Sequence, residues 1–96
     1  MLLTVRPLSY ILNHVSISET SIMIAKLRAW LISVDVGMLE YEDWLVKNKF
    51  YNPKRLKFFN PVDLKADNIF IAVCDKNMLL AAIAKLPDID AWPLYI

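Results

Sequence analysis

The chain has 96 residues, 57% of them hydrophobic and 22% charged, with a formal charge of +1. That length accommodates one core and no second, so a single domain spanning 1–96 is expected, and the near-neutral charge excludes the general attraction to phosphate or anionic lipid of a dedicated nucleic-acid or membrane-surface protein. One cysteine, Cys74, one histidine, His14, and one glycine, Gly37, exclude an intramolecular disulfide, leave too few ligands for an ordinary zinc site and remove the glycine-rich phosphate loops.

Leu2, Leu3 and Val5 suit a short strand that Pro7 ends or redirects, and Leu8 to Val15 suit a short helix. Arg6 is followed at once by Pro7 with no long apolar stretch after it, which is not a targeting pattern, and a cytoplasmic location is expected. Ser16 stands three before Glu19, the spacing of a capping box, and predicts a helix running to about Ser33. Ile22, Ala25, Ala29 and Ile32 lie along one stripe of that helix, and Met23, Leu27, Trp30 and Val34 along another. So broad an apolar surface belongs either at the centre of the core or in a contact with another subunit.

Gly37 predicts a helix ending that uses left-handed backbone. Met38 to Lys47 or Asn48 is again helical in pattern, with Tyr41, Trp44, Leu45 and Asn48 on one face, and could pair with the preceding helix as an antiparallel hairpin. Asn52-Pro53 and Asn60-Pro61 read as turns flanking Leu56, Phe58 and Phe59, a short extended piece or a turn of helix. Val62 to Asn68 is a further short helical segment. Ile69 to Cys74 reads as a buried strand from its β-branched content or as helix from its continuity with the residues before it. Asp75 or Asn77 is expected to cap a helix from Met78 to Leu86 that Pro87 ends, with Leu79, Ala82, Ile83 and Leu86 on one face. The tail, carrying Trp92 and Tyr95, is expected to dock on its own domain or on a neighbour. The fold class expected from these segments is mainly α, a compact small helical domain with short strands allowed; the alternative is α+β with a buried strand near 69–74.

No pattern of residues carries catalytic chemistry. Cys74 reads as a small buried hydrophobe and His14 as a packing residue, and neither has a nucleophile motif around it. Glu40 with Asp43, and Asp63 with Asp67, have the spacing of a solvated helix face as well as that of a carboxylate pair. No enzyme, cofactor or metal is therefore expected. The most specific surface signal is a segregation of charge: Asp35 to Asp43 holds four acids and no base, whereas Lys47, Lys49, Lys54, Arg55 and Lys57 follow with no acid among them. Aromatic residues interleave the basic part, a composition that suits either rings turned inward beneath lysines that keep a loop soluble or an interface in which aromatics anchor and charges steer.

The function expected is a non-enzymatic protein-interaction module, a regulator, inhibitor or small assembly subunit. Its candidate anchors are Phe50, Tyr51, Phe58, Trp92 and Tyr95, and its steering charges Lys54, Arg55 and Lys57. Its partner is another protein, including a second copy as a homodimer, and not a membrane. The alternative is a small regulator binding single-stranded nucleic acid through 47–59, where cations neutralise phosphate and aromatics stack on bases.

Overall fold

The computed structural model describes residues 18–93. The expectations for Leu2–Val5, for Leu8–Val15, for Ser16 and for His14 and Tyr95 lie outside that range.

The first helix among the described residues, α1 (Glu19–Val34), is capped by Ser18, whose backbone is extended and whose hydroxyl accepts the Ser21 N–H at 3.0 Å. Leu27, Trp30 and Leu31 are buried, Met23 and Val34 pack partly against the core, and the stripe of Ile22, Ala25, Ala29 and Ile32 faces outward. The core thus takes only one of the two apolar stripes. The helix ends where Asp35 becomes extended and its carboxylate accepts the Gly37 N–H at 2.9 Å. Gly37 does not have positive φ, which corrects the expectation of a left-handed ending there. Its lack of a side chain matters for another reason: a Cβ would stand 2.9 Å from Asp35 Oδ2.

A 3-10 turn (Val36–Tyr41) leads directly into α2 (Glu42–Lys47), so the expected second helix is tighter in its first half. The left-handed residues are Lys49 and Asn68, at φ 66° and 61°. Each follows a short helix and closes it in the same way. Phe50 N–H bonds Leu45 C=O and Lys49 N–H bonds Val46 C=O after α2; Ile69 N–H bonds Leu64 C=O and Asn68 N–H bonds Lys65 C=O after α4 (Pro61–Ala66). This double closure satisfies the otherwise orphaned last carbonyls, and it puts an apolar residue beyond the end next to one in the last turn.

Both Asn-Pro pairs start helices instead of making free turns. Asn52 Oδ1 accepts from Arg55 N–H at 2.8 Å to begin α3 (Pro53–Leu56), and Asn60 Oδ1 accepts from Val62 N–H at 3.0 Å to begin α4. Proline at the first helical position loses nothing, because its missing N–H would have had no helical partner.

Ile69 to Ala72 belong to neither strand nor helix, and α5 (Val73–Ala84) begins at Val73 rather than Met78. The buried strand near 69–74 is therefore absent, and Cys74 is exposed on the first turn of α5, not buried. Neither Asp75 nor Asn77 caps this helix; its N-cap is Ala72, without a side-chain bond. At the other end Leu79, Ile83 and Leu86 are buried as their spacing predicts, and Lys57 Nζ donates to the Ile83 carbonyl at 2.8 Å. Among the described residues the chain is a small helical domain with no strand, built on one core to which α1, the 3-10 turn, α2, α3, α4 and α5 all contribute.

Candidate interaction surface

The aromatic residues of the basic segment divide by depth. Phe50 is half-buried and stacks on Trp44 with ring centroids 5.7 Å apart, and Phe59, 8% exposed, sets its edge against both at 6.0 and 6.1 Å. Trp92 is buried against Trp30 at 5.7 Å, and its Nε1–H donates to the Tyr51 carbonyl at 2.8 Å. With Lys54 N–H bonding Ile89 C=O, this ties the described part of the tail onto its own domain. Tyr51 is half-buried beneath the Arg55 guanidinium, 5.5 Å from the ring centroid. Of the candidate anchors that the structure describes, Phe58 alone stands well out of the protein, at 76% exposure. Lys54, Arg55 and Lys57 are exposed, although the Lys57 ammonium is engaged by the end of α5.

Sequence patterning missed a second exposed apolar group. Phe70 is 84% exposed, and Val62 and Val73 are also largely in solvent. Val62, Lys65, Asn68, Phe70, Ile71 and Lys76 line an open groove of ≈ 510 Å³ between α4 and the start of α5. The signal that could have revealed it is the alternation in Ile69-Phe70-Ile71, where the two isoleucines pack partly on the core and the phenylalanine between them cannot.

Two of the acids near this groove are hydrogen-bonded to rings of the core, although Asp67 is itself exposed. Tyr41 O–H donates to Asp75 Oδ2 at 2.7 Å, and Trp44 Nε1–H donates to Asp67 Oδ2 at 2.7 Å. Burial, and then the Asp75 carboxylate that needs the phenol proton, push the Tyr41 pKa up from 10.0 to about 12. Arg28 to Glu42, at 3.0 Å, is the one ion pair among the described residues. Lys65 and Lys76 therefore face the groove with no carboxylate paired to them among those residues.

No three His, Cys, Asp or Glu side chains converge into a metal-binding group among the described residues, and no helix there is long and apolar enough to cross a membrane. Comparison with known protein families, with characterised proteins and with solved structures gives no match to this chain.

Proposed function

We propose that this chain is a non-enzymatic protein-interaction module of the cytoplasm, a regulator, inhibitor or small assembly subunit, that binds a protein partner through exposed apolar residues set beside cations. The observation that carries this reading is the exposure of Phe58 and Phe70, at 76% and 84%, whereas the other large aromatics among the described residues are packed inside the domain or against it. Bulky apolar groups in water gain on burial by a partner, and charges beside them set its orientation and arrival rate. Phe58 with Lys54 and Arg55 supplies one such combination, and Phe70 with Lys65 and Lys76 another.

A photo-reactive residue placed at Phe58 or Phe70 in the full chain, inside the native host, tests this. A defined protein that crosslinks saturably, and less in Lys54→Glu/Arg55→Glu, is the expected outcome; no saturable protein adduct at either position would overturn the reading. Oligonucleotide binding that falls steeply with salt and vanishes in the same double variant would replace it with nucleic-acid binding. The packing of Phe50 and Phe59 against Trp44 leaves few rings on 47–59 open for base stacking.

Self-association is a second reading, favoured by the outward stripe of α1, where Ile22 and Ile32 are 46% and 47% exposed with Ala25 and Ala29 between them. Two such stripes could pack closely across a two-fold axis. Light scattering across a concentration series reads it directly: a dimer that Ile22→Lys/Ile32→Lys converts to monomer supports it, and a monomer throughout removes it.

A further inference from the structure

We propose that the Ile69–Ala72 segment is a docking edge for an extended, acidic peptide, which lies along it as an added strand with carboxylates at Lys65 and Lys76. The inference rests on the protein-interaction reading and names the class of partner. Three observations converge on it.

The first is the backbone. The N–H and C=O groups of Phe70 and Ile71 have no protein hydrogen-bond partner among the described residues, whereas the flanking Ile69 N–H is taken by Leu64 and the Ala72 C=O by Lys76. Such groups are the attachment points used when a peptide adds to an exposed edge. The second is side-chain alternation. Ile69 and Ile71 are partly buried on the core and Phe70 projects into solvent, the period of a strand, and β-branched and aromatic residues favour that conformation once it is paired. The segment has strand chemistry without a strand partner.

The third is charge. Lys65 and Lys76 line the groove with Val62 and Phe70, and no acid lines it. Of the nearby carboxylates, Asp67 is held by Trp44 and Asp75 by Tyr41; Asp63 is exposed on the first turn of α4 and does not line the groove. A second copy of this chain pairing edge to edge would bring four lysines together, which disfavours it as the occupant. A peptide with glutamate or aspartate at alternate positions and apolar side chains between them matches both the lysines and the apolar wall. In a strand, the N–H and C=O of one residue point to the same side, so one added strand takes both groups of Phe70 or both groups of Ile71. Much of the affinity must then come from the groove and the charges.

The test titrates the full chain, by fluorescence anisotropy, against a library of eight-residue peptides with glutamate at alternate positions and varied apolar residues between. The strongest binder is then compared with its copy N-methylated on every amide, which keeps the side chains and removes the hydrogen-bond donors along both edges. Expected are saturable binding, weaker binding of the N-methylated copy, about tenfold weakening in Lys65→Glu/Lys76→Glu, and slowed amide exchange at Phe70 or Ile71. Because N-methylation alters only the peptide, it decides the matter even if a protein variant misfolds. No binding by any member, or equal binding of the N-methylated copy, overturns the proposal. So does a doubled mass with slowed Phe70 or Ile71 exchange in the chain alone, which would assign the edge to self-pairing. A protein crosslinked at Phe58 while no peptide binds would remove the docking edge and leave the interaction reading standing.

Discussion

Phe58 and Phe59 are neighbours in the chain with opposite fates, and the contrast extends to the two regions they represent. Phe59 closes an aromatic knot with Trp44 and Phe50, whereas Phe58 stands in solvent, as does Phe70 beyond α4. The knot is built where a helix end turns the chain back: the left-handed Lys49 directs Phe50 onto Trp44. The outer region is built where helices start, with Asn60 capping α4 and Ala72 leading into α5, and nothing among the described residues folds over it. The same residue types therefore stabilise the domain in one place and stand in solvent in the other.

The sharpest way to break this comparison is to delete one ring from each region. Trp44→Ala is expected to cost about 3–5 kcal/mol in chemical denaturation, and it also leaves Asp67 without its indole donor. A loss below about 1 kcal/mol would mean that the knot does not hold the core together. The next largest effect comes from pH, on the polar contact behind the groove. Since the Tyr41 pKa is raised when folded, its contribution to stability is complete below the unfolded value near 10 and is lost as pH climbs through about 12. Asp75→Asn should move the tyrosinate absorbance titration of Tyr41 back toward 10.

A smaller effect is expected at Glu42, which is buried and receives both of its side-chain bonds from Arg28 Nε. Arg28→Ala strands that carboxylate, and because Arg28 is itself well exposed the cost should be about 1–2 kcal/mol. Thermal unfolding at low and high salt would measure it. At the helix end that directs Phe50 inward, Lys49→Gly relieves left-handed strain and should stabilise by about 0.5–1 kcal/mol; a loss would mean that the lysine side chain does more there than occupy the turn. The smallest effect belongs to the outer region: Phe70→Ser should leave stability within about 0.5 kcal/mol while weakening peptide binding. A large loss of stability there would erase the distinction between the two regions.

Much of this division was legible in local pattern. The spacing of Leu79, Ile83 and Leu86 and the shared face of Tyr41, Trp44 and Leu45 each predict the side that is buried. The docking of Trp92 follows from the cost of leaving a large apolar ring in water. The candidate surface was less legible. Phe50 and Trp92 have the composition of interface anchors but are used internally, and Phe70 sat in a run that reads as buried strand.

Helices, their apolar faces and the scarcity of cysteine and histidine follow from the sequence alone, because periodicity and composition are properties of neighbouring residues. Tertiary structure alone decided which of the two apolar stripes of α1 turns inward, that Asp67 and Asp75 are held by Trp44 and Tyr41, and that Ile69–Ala72 has no strand beside it. Each of these depends on a partner across a turn or far along the chain, and no local periodicity records whether that partner is present.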